Sequence, residues 1–406
     1  MISKLIKLAY RNFRRNTRRS IISGISIAIA VTLIIFTQSY IKGFTQNISD
    51  NIIKLLSGHI RITTKEYERR ERLLPLSEAI DLTPEFYEVV QAEAVKFIAP
   101  RIKFGVLLGK DELSIPALGY AIDPIIERQI SGLDKRIISG SYLDSATNAT
   151  IIGKELARRL NLTVGDTLTL VTRTAYDSPT GINLVVRGIF SIGIGGIDRS
   201  LFYIPLSVGQ KLLDLNEKAT EVALVLKKTD QTKPISARLR TKLDYSIVPF
   251  QYNSLLRYIN AFTIVYYLIY AIILIVACST IANTMIMVVF ERTREIGMMK
   301  AMGFSNRSVV GLLLLEATII GVIGSFIGTV IGAGISYWLK IKGLDFSKIS
   351  STASTDLPFG PIIHFQPSFT TLISTFVMGI IFTVLVAYLA VRRTVRLDPA
   401  QALKTI

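Results

Sequence analysis

The sequence predicts a polytopic α-helical membrane protein with four transmembrane helices and a large α+β extracytoplasmic domain inserted between the first and second. Three observations carry that expectation. Four apolar stretches without a charge are long enough to cross a bilayer, roughly 210 residues of ordinary composition separate the first two, and positive charge gathers at one set of helix ends. Half of the 406 residues are hydrophobic, 19% are charged, and the mean hydropathy is +0.44. Even so, 47 Lys and Arg against 30 Asp and Glu leave a net charge of +17. A basic excess points to nucleic acid only when it is concentrated on a soluble face. In an apolar chain it points to the positive-inside rule.

The uncharged stretches are Ser20–Ile41 (22 residues), Tyr258–Phe290 (33), Ala317–Leu339 (23) and Ser368–Val391 (24). Each meets the roughly 20 residues needed to cover ~30 Å of hydrocarbon. The resulting spans are 20–42, 258–290, 310–339 and 368–391. The second is longer than a crossing requires, so it is expected to tilt or to project as a continuous helix.

Charge orients the spans. Residues 1–20 carry seven Lys/Arg, 291–309 four and 392–406 four, against three in the 340–367 connection. Both termini and the 291–309 loop are therefore cytoplasmic, and 43–257 and 340–367 lie on the opposite side. Residues 43–255 hold 27 basic and 24 acidic residues, so the insert is nearly neutral and no nucleic-acid partner is expected. In segment 1–19, Ile2, Leu5, Ile6, Ala9 and Phe13 form a helical apolar stripe opposite Lys4, Lys7, Arg11 and Arg14. That pattern suits an interfacial helix on an anionic leaflet, with a solvated basic tail as the alternative. The apolar run after it is too long for a typical signal-peptide core and lacks a small-residue cleavage pattern, which predicts an uncleaved signal-anchor.

The insert is long enough for one or two folded domains. Thr83-Pro84 predicts a helix start, strands are expected near 98–108 and 113–121, and a short helix over 153–160. Strands follow at 166–173, 182–192 and 199–204, and Ser207-Val208-Gly209-Gln210 predicts a capping box that opens another helix. A strand at 221–227 and a helix at 235–243 complete it. Between two of the strands lies a polar tip, Thr174 to Gly181, in which Tyr176, Asp177, Ser178, Pro179 and Thr180 are either a solvated turn or a partner contact.

Catalytic patterns are missing. The sequence has no G-x-x-x-x-G-K-[ST] nucleotide loop, no nucleophile elbow and no H-E-x-x-H pair. One cysteine, Cys278 inside a span, and two isolated histidines, His59 and His364, leave no ligand set for a metal. The chain is expected to be non-catalytic, with energy supplied by a partner. Within the third span, Gly324, Gly328 and Gly332 recur every four residues as a small-residue face for close helix packing. Glu316 is expected to cap or snorkel rather than to relay protons.

The most informative segment runs from Glu291 through Arg292, Glu295, Ile296, Gly297, Met299 and Lys300 to Gly303, followed by Phe304-Ser305. It mixes charges with a Met-rich apolar surface between two spans, and Gly303 and Ser305 supply a helix stop and a new cap. A short amphipathic helix there suits docking into a groove on another protein, although a simple loop helix fits the physics equally well.

This segment resembles the coupling helix of ABC permeases in the MacB/FtsX/LolC superfamily, E-R-x-x-E-I-G-x-x-[KR]-A-x-G. Leu397-Asp398-Pro399-Ala400-Gln401-Ala402-Leu403-Lys404 resembles the superfamily's ending, and the four-span, one-insert layout matches as well. Tyr40-Ile41-Lys42-Gly43-Phe44, Gly119 to Pro124 and Ile151 to Ala157 are similar to the lipoprotein-releasing LolC/LolE branch, whereas Glu316-Ala317 is closer to MacB. The resemblance implies a cytoplasmic ABC ATPase dimer as partner, holding the ATP and Mg, and a second permease copy or paralogue. It also implies a lipoprotein substrate and a periplasmic lipoprotein chaperone received at the 176–180 hook. Phe36, Tyr40, Phe44, Ile264 and Tyr267 are expected to line a substrate cavity between protomers. An efflux permease or a transmembrane activator of a cell-wall hydrolase is the alternative within the same superfamily.

Overall fold

The structure is a computed structural model and describes residues 17–145, 148–193, 195–253, 263–291, 298, 302–345 and 362–394. The expected interfacial stripe, the C-terminal motif and, of the coupling segment, Arg292, Glu295, Ile296, Gly297, Met299 and Lys300 lie outside the described residues. The chain divides into two compact units: Met1–Phe44 with Ala261–Leu344 and Ile363–Ile406, and Thr45–Asn260 with Asp345–Ile362.

Among the described residues of the first unit are the helices Thr263–Glu291, Asn306–Lys342 and Phe369–Thr394, together with the start of Thr17–Asn51. All four helices are long and apolar enough to cross a membrane. The third begins where the sequence places a stop and a cap. Gly303 takes a positive φ of 90°, and the Ser305 hydroxyl accepts from the Ser308 N–H.

Small residues let the first and third helices approach closely. A Cβ at Gly324 would lie 2.8 Å from the Gly24 carbonyl oxygen, and one at Gly328 would lie 2.5 Å from that of Ala28. Gly332 faces Ile35. The Thr32 hydroxyl donates to the Gly328 carbonyl at 3.0 Å, a crossing bond of the kind that holds helices together in lipid. Ile27, Val31, Ile35, Ile281, Ala317, Ile320 and Ala387 form the apolar centre. Glu316 is 4% exposed, so it packs inside the unit instead of snorkelling outward.

In the second unit, strands β1 (Ile60–Thr63), β2 (Ile80–Asp81), β3 (Val95–Lys110), β4 (Leu113–Ile122), β5 (Ile137–Gly140) and β6 (Ala149–Gly153) are followed by β7 (Thr167–Arg173), β8 (Pro179–Phe190) and β9 (Leu201–Pro205). The last three are β10 (Lys218–Ala219), β11 (Glu221–Leu226) and β12 (Ser246–Pro249). The main sheet runs β12-β1-β11-β3-β4-β9-β6-β8-β5, with β7 joining β3 to β8. The path β3-β4-β9-β6-β8-β7 therefore returns on itself. Ile102, Phe104, Leu108, Leu168, Leu184 and Phe202 fill that closed lobe. The sixteen-residue β3 belongs to both halves: Val95–Arg101 pairs with β11, and Leu107–Gly109 pairs with β7. On the β11 side, helices Pro84–Gln91 and Thr232–Lys242 supply Phe86, Val90, Ile235 and Leu239 to a second core.

Several local expectations shift. The capping box at Ser207 is not formed: helix Leu206–Leu212 starts two residues earlier than that cap predicts, Pro205 occupies the cap position, and the Ser207 hydroxyl donates to the Ser145 carbonyl at 3.1 Å. Strand β8 begins at Pro179 rather than 182, because the first residue of a strand is where a missing N–H is tolerated. Helix Pro124–Ser131, capped by the Asp123 carboxylate, was not expected, nor was the wholly buried β6.

His59 sits just beyond the first helix, buried between β11 and Phe250. Its Nδ1 accepts from the Leu226 N–H (3.3 Å), so Nε2 is the nitrogen that donates to the Thr229 hydroxyl (3.0 Å). Burial lowers its pKa, and Asp50 opposes this more weakly. A histidine held neutral in the fold stabilises fully above its unfolded value near 6.5. Below that value the unfolded chain binds the proton first, so stability falls with pH. The thermal midpoint of the inserted domain is expected to drop between pH 7.5 and 5.5, and a pH series on His59→Gln should show a shallower slope; an equal slope would assign the effect elsewhere.

Candidate functional site

Three regions hold the residues singled out by sequence. Phe36, Tyr40 and Phe44 recur every four residues and so share one face of the first membrane helix. Tyr40 stacks on Phe44 with centroids 6.0 Å apart. The chain's own Phe365, fully buried, inserts against them, 5.0 Å from Phe36 and 5.6 Å from Tyr40. Its segment is pinned by the Gln366 N–H, which donates to the Ser39 carbonyl at 3.0 Å. Gly43 admits the backbone there: a Cβ at this position would meet the His364 carbonyl oxygen at 2.1 Å.

Ile264 and Tyr267 lie on the second helix. They are 72% and 67% exposed, and Tyr267 has Tyr270 as its ring neighbour at 6.5 Å. A cavity of about 40 Å³ lies among Ile27, Val31, Leu274, Thr375, Gly379 and Phe382. That is room for about one water-sized group, far short of an acyl chain. Sequence reasoning missed Phe365, whose only signal is an aromatic between Ile363 and Pro367 at the head of a span.

The hook is shorter than expected. Pro179 and Thr180 are ladder residues opposite Arg173 and Thr172, which leaves Thr174–Ser178 as the tip. Bonds from the Thr174 N–H to the Ser178 carbonyl (2.8 Å) and from the Asp177 N–H to the Thr174 carbonyl (3.0 Å) close it, with Asp177 at φ 62°. The Ala175 N–H donates to the Leu213 carbonyl at 2.9 Å, so the tip is fastened to the domain. Tyr176, 79% exposed, stands free of it. Beside the tip, Leu73, Leu74, Leu76, Leu107, Val171 and Pro179 line an open groove of about 650 Å³. Nothing local marks the 73–77 side of this groove in the sequence.

In the 291–305 segment, Glu291 ends the second helix, the Met302 N–H donates to the Met298 carbonyl at 3.0 Å, and Met298, Met302 and Phe304 are exposed. This is an apolar, methionine-bearing turn presented to the outside. Such a surface adapts readily to a partner groove.

Among the described residues, four helices long and apolar enough to cross a membrane, with a large α+β insert between the first two, define a polytopic membrane protein. Residues 20–242 match the family model of the MacB-like periplasmic core domain, and residues 267–399 match that of the FtsX-like permease C-terminal region. The first match alone takes in more than half of the chain, which belongs to this MacB/FtsX family of ABC transporter permeases. Among relatives, it is 22% identical to the lipoprotein-releasing system transmembrane protein LolC of Xylella fastidiosa, over 98% of each chain. It is 35% identical to the macrolide export ATP-binding/permease protein MacB of Wolinella succinogenes, over 36% of this chain and 19% of that one. The solved periplasmic region of MacB from Actinobacillus actinomycetemcomitans aligns with a TM-score of 0.35 and 15% identity, over 50% of this chain and 94% of that one.

Proposed function

We propose that this chain is the permease subunit of an ATP-driven transporter that extracts lipoproteins from the outer leaflet of the inner membrane and passes them to a periplasmic chaperone. The observation that carries this reading is the likeness to LolC from end to end, covering 98% of both chains. The chain lacks a nucleotide loop, so a separate cytoplasmic ATPase dimer would hold ATP and Mg and push on the 291–303 segment. Both termini would be cytoplasmic and the insert periplasmic.

Acyl chains leave a bilayer at a cost of about 0.8 kcal/mol per CH₂, so extraction needs an external drive. Beside Phe365, the half-buried Phe36 and Tyr40 would offer an apolar surface for those chains, with the buried Phe44 backing it. Ile264 and Tyr267, open on the second helix, would complete it against a second permease copy or paralogue. Tyr176 and Asp177 at the hook tip are the exposed groups for a chaperone. The second reading, MacB-like efflux, is favoured by the 35% identity over 144 residues.

Substitution of Glu295 or Gly297 is expected to leave ATP hydrolysis within about twofold while release falls on the order of tenfold or more. Lipoprotein release from proteoliposomes, measured beside phosphate production, checks this, and unchanged release would sink the coupling role. Co-purified lipoprotein and chaperone support release, whereas a periplasmic adaptor supports efflux.

A further inference from the structure

We infer that Arg101 is a positioning residue that fastens the outer end of the first helix, Thr45–Ser57, to the closed sheet lobe, so that this end and the lobe move as one body. The inference rests on the proposed ATP-driven mechanism. Helix Thr17–Asn51 continues as a wide turn, Ile52–Ser57, and stops at Gly58, whose φ is 67°. The last turn of any helix leaves carbonyl groups without intrahelical donors, and its negative dipole end favours a cation. Arg101 meets both needs with its Nη1, which donates to the Leu56 carbonyl at 2.5 Å.

The other side of the guanidinium is held in a fork: Nε to Glu127 Oε2 at 3.0 Å and Nη2 to Glu127 Oε1 at 2.9 Å. Glu127 lies on helix Pro124–Ser131, and the two side chains are almost fully enclosed, 1% and 3% exposed. Arg101 also stands where the sheet divides. It pairs with Glu221 of β11 on one side and with Ile122 of β4 on the other. Chain connection already ties the helix end to β1 and hence to β11, through the His59 N–H bond to the Leu224 carbonyl at 2.8 Å. Arg101 adds the tie toward β4 and Glu127.

A buried ion pair is seldom the most stable choice, because two well-packed apolar side chains often serve as well. Such a pair could not hold Leu56. Stability and fastening can therefore be separated by mutation.

The test uses the full permease–ATPase complex in proteoliposomes. In Arg101→Met/Glu127→Met the thermal midpoint is expected to stay within a few degrees of the parent. ATP hydrolysis should persist within about twofold while lipoprotein release per ATP drops on the order of tenfold. In Glu127→Gln, which keeps the Leu56 bond, the midpoint falls while release per ATP is kept. Coupling that follows stability in both variants overturns the inference. If the double variant does not fold, Arg101→Gln, which cannot serve both partners, takes its place with the same readings.

Spin labels at Gln46→Cys and Glu112→Cys, on a Cys278→Ser background, give a readout without cargo. The parent distance should be the same with and without ATP, and the Arg101-deficient variant should show an ATP-dependent change. A distance that stays fixed in the variant, or that shifts in the parent, overturns the fastening role. If the parent hydrolyses ATP but releases no lipoprotein, the cargo reading fails, while the label pair still decides this one.

Discussion

Gly328→Leu is expected to separate the first and third membrane helices, with a loss on the order of 3 kcal/mol. A Cβ at 328 would sit 2.5 Å from the Ala28 carbonyl oxygen and 2.9 Å from its Cα. Both are backbone atoms, which cannot rotate out of the way as a side chain can. The helices would have to part, and the Thr32 bond to the Gly328 carbonyl would go with them. At Gly332 the added atom meets only Ile35 side-chain atoms at 3.1 Å and beyond, so Gly332→Ala should cost far less. Gly334 has nothing within 4 Å and provides a control on the same helix. Melting of the purified protein in detergent should rank parent and Gly334→Leu together, Gly332→Ala slightly below and Gly328→Leu far below. Equal midpoints for the two leucine variants would show that the interface does not depend on this approach.

The small-residue repeat that places this contact is legible in sequence, as are the spans, since a run without charge is a local property. So are the Gly303 stop and the Ser305 cap, where one residue type answers one backbone need. Other features depend on remote partners. Strand β6 is buried over all five residues, so it shows no period-2 alternation to read. The lobe closes only because β7 reaches both β3 and β8, a pairing between residues far apart in the chain. Ser207 has the right spacing for a cap, but Pro205 takes the cap position and Ser145 takes the hydroxyl. At the candidate site, the periodicity of Phe36, Tyr40 and Phe44 marks a shared face, yet nothing local says that Phe365 will lie against it. Arg101 is one of four cations in β3, with Lys96, Lys103 and Lys110, so nothing local singles it out or names Glu127 as its partner.

Glu127→Leu should therefore be among the most costly single changes in the inserted domain, about 3–5 kcal/mol, because it leaves a guanidinium enclosed without its counter-charge. Arginine cannot escape by losing its proton. Glutamate can change its state. Burial pushes the Glu127 carboxyl upward, and Arg101 is the main opposing influence. In Arg101→Met that opposition is gone, and the carboxyl takes up a proton at a higher pH in the fold than in the unfolded chain. Its contribution is then complete below the ordinary carboxylate range near 4.3 and lost as pH rises through the higher folded value. The deficit of Arg101→Met relative to the parent should accordingly shrink between pH 8 and pH 5, whereas that of Glu127→Leu, which lacks the titrating group, should not shrink. His59 adds a slope of opposite sign, but it is common to all three proteins and cancels in the differences. Thermal midpoints of parent and both variants across that range test the pair directly. A constant deficit in Arg101→Met would mean that Glu127 finds another cationic or hydrogen-bonding partner once the guanidinium is removed.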